Sequence, residues 1–352
     1  MRILLLSPYD ARSHQYWREG LVDAFAEHTF EVVTLPARHF SWRFRGNSLT
    51  LAFDSRLKSR FDLVIATSMT DLAALRGMLP ALAAVPTVVY FHENQFDYPG
   101  DSPRIHQVER QITSIYTALA ANRVVFNSAY NRSTFLTGAE SLLAKMPDQV
   151  PAGIVSHLAS RSRVLPVPLR DENRVVHNMR GPLPTILWNH RWEHDKGPEV
   201  LLAILEVLLA HTTRFRFHLV GQQFRQVPGA LSRCLALLDG AGIDGQRGHQ
   251  PRAEYLALLS ESDVVLSTAH HEFQGLAVLE AVAAGAMPVV PARLAYPEYF
   301  DQAFLYDSPG AAVAMLRNAL LMHSRGEPLT VPDVSHLRWS VQRPAWVDVI
   351  NF

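Results

Sequence analysis

Glu272-Phe-Gln-Gly-Leu-Ala-Val-Leu-Glu280 is the stretch on which the reading of this chain turns. Two carboxylates stand eight positions apart, with Gly275 between them. Upstream, Asp263-Val-Val-Leu-Ser-Thr268 has the short apolar run of a buried strand; downstream, Leu276–Ala284 reads as a helix. The block therefore predicts strand, turn and helix start. A helix start presents unpaired backbone N–H groups and the positive end of a dipole, which suits a phosphate. Glu272 falls in the turn and Glu280 about two turns into the helix. One carboxylate is thereby placed to meet a sugar and the other to accept from ribose hydroxyls.

Outward from this block the chain alternates strands and helices. In the first half, strands are expected at Ile3–Ser7, Glu31–Leu35, Phe61–Ala66, Thr87–Phe91 and Arg123–Phe126. Helices are expected at Ser13–His28, Asp71–Met78, Ile105–Ala120 and Tyr130–Leu143. Residues 147–184 break the rhythm: they are rich in Pro and Arg, with one short strand at Arg163–Leu165. The alternation then restarts with strands at Thr185–Asn189, Arg216–Val220, near Ile243, Asp263–Leu266 and Met287–Val290. Helices lie between them at Pro198–His211, Ala230–Leu238 and Arg252–Leu259. Such βαβ alternation is the pattern of a doubly wound parallel sheet, here present twice. The expected fold is α/β: two Rossmann-like domains, residues 1–170 and 171–330, facing across a cleft that collects the carboxyl ends of the strands. The tail, 331–352, carries Trp339, Trp346, Val349 and Ile350 on one helical face and is expected to pack on a domain.

The 352 residues are 48% hydrophobic and carry 33 basic and 33 acidic side chains, so large cores can form and any basic surface must be local. A single cysteine, Cys234, permits no internal disulfide, and no apolar run is long enough for a leader or a membrane span. These features set a soluble cytoplasmic protein as the expectation.

The first strand of the second half runs into Trp188-Asn-His-Arg-Trp-Glu-His-Asp-Lys-Gly-Pro198. Arg191 and Lys196 stand in a loop before a helix start, where a guanidinium fork and an ammonium can clamp a diphosphate. A solvated charged loop would account for this stretch alone; beside the Glu272–Glu280 unit the clamp is the better reading. The same residues spell His-x-x-Glu-His, an inverted zinc-protease signature, but that chemistry needs both histidines on one helix, and Gly197-Pro198 marks a loop. No metal is expected. In the first half, Tyr90-Phe-His-Glu-Asn-Gln-Phe96 follows a strand and puts His92, Glu93 and Asn94 at a carboxyl end. Ser13 is placed to cap the first helix, with His14 beside it. Arg38, Arg43 and Arg45 interleave with Phe40, Trp42 and Phe44, a pattern that suits either an amphipathic edge or a nucleic-acid surface.

Together these blocks resemble the retaining glycosyltransferases of family 4, of GT-B type. The segments LPARHFSWRFRG (35–46), YFHENQFDYP (90–99), VVFNSAYN (124–131), LWNHRWEHDKGPE (187–199) and STAHHEFQGLAVLEAV (267–282) are more specifically similar to the tRNA-queuosine α-mannosyltransferase family. The match extends over roughly residues 1 to 305. The resemblance implies transfer of mannose from GDP-mannose to queuosine in the anticodon loop of tRNA-Asp, without a metal cofactor. It implies His92 and Glu272 as catalytic residues. It implies donor contacts from Asn189, Arg191, Lys196, His271, Phe273, Gly275, Leu276 and Glu280. Acceptor or tRNA contacts are implied for Ser13, His14, Arg38, Trp42, Arg43, Arg45, Glu93 and Asn94. The chain departs from family 4 in its first loop, which has Tyr9-Asp-Ala-Arg-Ser-His14 in place of a glycine-rich turn. Rival readings are a transferase of the same fold with another sugar nucleotide or a small acceptor, and a non-catalytic RNA- or nucleotide-binding protein.

Overall fold

A computed structural model describes residues 1–97, 104–172 and 181–352, with residues 104–106 described by backbone alone. Part of the expected linker, 173–180, lies outside the described residues, as do 98 and 99 of the quoted motif. The chain forms two compact units: Met1–Pro168 with Trp339–Phe352, and Leu169–Arg338. The boundary thus lies just before residue 169, and the expected tail divides: 331–338 belong to the second unit and 339–352 to the first.

The first unit comprises β1 (Arg2–Asp10), α1 (Arg12–Ala24), β2 (Thr29–Pro36), α2 (Phe40–Ala52), β3 (Leu63–Thr67), α3 (Leu72–Met78), α4 (Pro80–Ala83), β4 (Thr87–Phe91), α5 (Arg104–Ala120), β5 (Arg123–Phe126), α6 (Ala129–Leu143), α7 (Ile154–Ser160) and β6 (Ser162–Val164). The six strands are parallel, in the order β2-β1-β3-β4-β5-β6. All of β3 and β4 is buried, as expected of a parallel sheet covered by helices on both faces. Side-chain caps fix where helices begin: Asp71 accepts from the Ala74 amide and Ser128 from the Asn131 amide.

The second unit comprises β7 (Thr185–Trp188), α8 (Pro198–His211), β8 (Arg216–Val220), α9 (Gly229–Gly240), β9 (Arg247–Gly248), α10 (Arg252–Glu261), β10 (Val264–Leu266), α11 (Leu276–Ala283), β11 (Met287–Pro291), β12 (Leu305–Tyr306) and α12 (Pro309–Ser324). Its sheet, also parallel, is ordered β12-β11-β10-β7-β8-β9. Apolar clusters fill both of its faces, one around Trp188, Leu205 and Phe217, the other around Leu187, Leu279 and Tyr296.

The last helix, α13 (Trp339–Ile350), returns to the first unit. Trp346 is fully buried, 5.3 Å from the Tyr90 ring and 5.9 Å from Trp17. Arg123 donates to the carbonyls of Asp348, Val349 and Asn351 at 2.7–2.8 Å and so satisfies the end of this helix. The helix runs through Pro344 without a break.

Three local expectations differ from the structure. Residues 40–52 form a helix where none was placed. The strand expected near Ile243 lies at Arg247–Gly248, because Ile243 is used in the turn after α9, its amide bonded to the Leu238 carbonyl. The proline-rich stretch contains α7, which no sequence signal marked.

Candidate active site

In the second unit, successive crossovers leave β7 in opposite directions, toward β8 on one side and β10 on the other. Loops that follow such neighbouring strands diverge and leave a crevice, the usual ligand position in an open α/β sheet. The β7 loop carries Asn189, Arg191 and Lys196; the β10 loop carries His271, Glu272, Phe273 and Gly275. The two loops are laced together. The amides of His270 and His271 donate to the Asp195 carbonyl at 2.9 and 3.1 Å. Thr268 Oγ1 donates to the Lys196 carbonyl and accepts from Trp188 Nε1. Gly197, at φ 65°, makes the approach possible: a Cβ there would lie 2.0 Å from the Thr268 carbonyl oxygen.

Within this lacing Lys196 is buried. Its Nζ lies 2.8 Å from the His271 carbonyl, 3.2 Å from Glu272 Oε2 and 3.1 Å from Asp195 Oδ2. Arg191 is more open, 2.8 Å from Glu193 Oε2 and 3.7 Å from the same Asp195 oxygen. The two cations therefore meet through one carboxylate. Burial pushes the Glu272 carboxyl up, but Lys196 and His190 outweigh it and bring its pKa to about 2, so it is ionised at neutral pH. His190 is buried beneath them, its Nε2 2.9 Å from Ser267 Oγ, which in turn lies 2.7 Å from the Tyr296 hydroxyl. Burial first, and then Lys196, lower its pKa to about 4. His190 leaves a strand while His194 opens a short 3-10 turn, so the zinc-like pattern does not sit on one helix.

Gly275 opens α11 at φ 80°, where a Cβ would meet the Tyr296 ring at 2.8 Å. Glu280 is the fifth residue of α11, little more than one turn in and not two. It is buried and held by Arg252 at 2.8 Å, with the Tyr255 hydroxyl at 3.5 Å. Asn189 Nδ2 donates to that same hydroxyl and to the Ala277 carbonyl. The ring of His271 packs edge-on against Phe273 at 4.5 Å, and Leu276 is the first residue of α11. The expected donor residues thus collect in one unit around the β7 and β10 loops and the start of α11. Asp195, Arg252 and Tyr255 were not anticipated. Asp195 stands beside Lys196 in the quoted stretch, whereas Arg252 and Tyr255 lie on α10 and reach Glu280 only through the fold.

In the first unit the divergence falls between β1 and β3. His14, after β1, lies with Nε2 3.1 Å from Glu93 Oε2; Ser68, after β3, has its hydroxyl 3.5 Å from Glu93 Oε1. His92, after β4, stacks on His14 with centroids 4.1 Å apart and planes at 19°. Trp17 and Tyr90 meet His92 edge-on at 5.1 and 4.7 Å. Burial, and then His14, hold the His92 imidazole well below its ordinary 6.5.

Several acceptor expectations change. Ser13 does not cap α1: Ala11 is the N-cap, and Ser13 is an exposed residue of the first turn. His14 is buried against Glu93 and His92 and offers no open contact. Asn94 is buried and braces its loop, donating to Asn131 and Thr134 and accepting from the Phe96 and Asp97 amides. Arg38 and Trp42 are exposed, Trp42 at 57%. Arg43 is half-buried on α2. Arg45 is exposed yet engaged, 2.8 Å from Asp71 and 3.2 Å from Glu109.

Residues 2–169 match the model of the family described as tRNA-queuosine alpha-mannosyltransferase N-terminal, and residues 170–320 match Glycosyl transferases group 1. A tRNA-queuosine alpha-mannosyltransferase of Drosophila melanogaster is 32% identical over 326 residues, 90% of this chain and 86% of that one. Among solved structures, the sucrose-phosphate synthase of Thermosynechococcus elongatus aligns with a TM-score of 0.70 at 13% identity, covering 99% of this chain and 98% of its own. An alpha,alpha-trehalose-phosphate synthase of Burkholderia xenovorans aligns with a TM-score of 0.68 at 15% identity, covering all of both chains. The structural likeness shows the shared GT-B fold. The family-model matches and the Drosophila relative add the sequence kinship: this chain is a glycosyltransferase and belongs to the tRNA-queuosine alpha-mannosyltransferase family.

Proposed function

We propose that this protein transfers mannose from GDP-mannose to queuosine in the anticodon loop of tRNA-Asp, with retention at the anomeric carbon. The observation that carries the chemistry is the buried Lys196 ammonium, set between Asp195, Glu272 and the His271 carbonyl, with Arg191 joined to it through Asp195. Both cations have acidic partners that a diphosphate would replace. Arg191, Lys196 and the amides at the start of α11 would stabilise charge as the anomeric carbon–oxygen bond to phosphate breaks. Glu280, held by Arg252, would take the ribose. Glu272, being ionised, would accept from mannose hydroxyls. The acceptor hydroxyl would form the new bond on the face that the diphosphate leaves, and its proton would pass to a phosphate oxygen, releasing GDP. His92 would contact the sugar near the oxocarbenium-like centre. Positive side chains here do the work of a metal, so the reaction is expected to proceed in chelator. We place the reaction in the cytoplasm, since its acceptor is tRNA; among the described residues no helix is long and apolar enough to cross a membrane.

The test is mass spectrometry of nucleosides from queuosine-containing tRNA incubated with GDP-mannose. A hexose added to queuosine, in the presence of EDTA, is the expected product. Arg191→Ala and Lys196→Ala should each lower turnover by 100-fold or more, on the order of the loss of one transition-state donor. Near-normal turnover in either variant would remove that residue from the phosphate site.

A further inference from the structure

We propose that Glu93 is a specificity-determining residue for the acceptor: its carboxylate pairs with the secondary ammonium of queuosine, the nitrogen that joins the 7-deazaguanine ring to the cyclopentenediol. The inference rests on the acceptor named above and deepens it.

The choice of acceptor falls to the first unit. The second unit matches a general glycosyltransferase model, whereas the tRNA-queuosine model covers residues 2–169. Open α/β sheets take their ligands where the strand order reverses, which in this unit is between β1 and β3. Three strand ends converge there on one carboxylate. Glu93 follows β4; His14, on the helix after β1, lies 3.1 Å from it, and Ser68, after β3, lies 3.5 Å from it. Its neighbours His92, Asn94 and Gln95 are buried, while the Glu93 side chain keeps 17% of its surface open. The loop is braced on either side of it: Asn127 donates to the His92 carbonyl and Asn94 to the Asn131 side chain, both at 2.9 Å. The carboxylate is thus held in place before a ligand arrives, which lowers the cost of binding.

This carboxylate has no permanent cation beside it. Asp10 and Asp71, after β1 and β3, are each paired with an arginine, Arg18 at 3.0 Å and Arg45 at 2.8 Å. Among the described residues no lysine or arginine pairs with Glu93; its partners are an imidazole and a hydroxyl. A carboxylate drawn this far from water is costly until a cation meets it. The stacked rings of His14 and His92, with the Trp17 indole edge-on, screen poorly and strengthen a charge pair formed next to them. Queuosine brings such a charge. Its alkyl amine is protonated at neutral pH, as that of lysine is, and its N–H groups can donate to carboxylate oxygens. Guanine, at the same place in unmodified tRNA, has no such nitrogen.

The experiment measures equilibrium binding, at one salt concentration, of a single tRNA carrying queuosine, 7-aminomethyl-7-deazaguanine or guanine at the acceptor position. The aminomethyl base keeps an ammonium and lacks the diol. Wild-type protein should bind the aminomethyl tRNA about tenfold or more tightly than the guanine tRNA, the worth of a charge-assisted hydrogen bond. In Glu93→Gln, which keeps hydrogen-bonding groups toward His14 and Ser68 but carries no charge, those two tRNAs should bind alike. Glu93→Ala gives the same readout should that variant not fold, and the wild-type comparison stands without either. Equal binding of the aminomethyl and guanine tRNAs by the wild type, or a preference that survives in the variants, would overturn the proposal. So would a loss confined to the queuosine tRNA, which would assign Glu93 to the diol. A purely structural Glu93 would weaken all three tRNAs evenly. Nucleoside mass spectrometry on the wild type reports separately on the mannosyl reading.

Discussion

Lys196 owes its place to the residue after it. Gly197 takes a left-handed turn directly under the Thr268 carbonyl, which lets the β7 loop press against the β10 loop and carries the ammonium inward. Alanine in that conformation costs about 1–2 kcal/mol, and its Cβ would also force the two loops apart. Gly197→Ala is therefore expected to lose about 2 kcal/mol or more in chemical denaturation, and to lose donor affinity beyond that expected from stability. A variant with wild-type GDP-mannose binding would show that the lacing is dispensable. Much at this scale was legible: Gly197-Pro198 announced a helix start, and the charged residues just before it do come together with the Glu272 turn. What was not legible is engagement. Asn94 and His14 have the chemistry of surface contacts, but the fold turns both inward, onto Asn131 and Glu93 respectively.

Among the elements, the strands were plain because each is a short apolar run buried on both faces. Helix α2 was not plain. Its aromatic residues Phe40, Trp42 and Phe44 alternate as on a strand edge, while its buried face at 44, 47, 48 and 51 includes Asn47 and Ser48. The Asn47 amide donates to the Met69 carbonyl and its oxygen accepts from the Asp71 amide, so a polar residue does the packing there. The opposite face leaves Trp42, Leu49 and Phe53 exposed, at 57, 49 and 81%, at intervals of seven and four residues along one side of the helix. If this face meets the anticodon arm, Trp42→Ala should weaken tRNA binding by about 1–3 kcal/mol without altering its salt dependence, because stacking releases no counterions. Arg43→Ala with Arg45→Ala should reduce the salt slope by about one contact rather than two, since Arg45 is already paired with Asp71 and Glu109. Filter binding across a salt series distinguishes these outcomes, and unchanged affinity and slope would leave α2 outside the RNA surface.

For the whole molecule, buried histidines dominate the response to acid. Burial, then the arginines at 216 and 247, bring His218 to about 4; burial, then Lys196, bring His190 to about 4; His92 is also held low. Each folded value lies below the unfolded 6.5, so the unfolded chain binds these protons first. The associated stability is present above pH 6.5 and is lost as pH falls toward 4, by up to about 1.4 kcal/mol per pH unit for each histidine. Glu272, drawn down to about 2, adds its own loss only below 4.5. Thermal melts should therefore decline steadily from pH 6.5 to 4, and a flat profile across that window would contradict the burial of these imidazoles.

The second unit begins and ends at one spot. Leu169 and Arg338 are partners in a short parallel bridge, and the Leu169 amide donates to the Leu337 carbonyl at 2.8 Å. The first unit therefore reads as a host into which 170 residues have been spliced. Part of its core is completed late: Trp346, which packs against Trp17 and Tyr90, is translated after the entire inserted unit. Until then, Trp17 and Tyr90 lack the indole that packs on them in the finished fold.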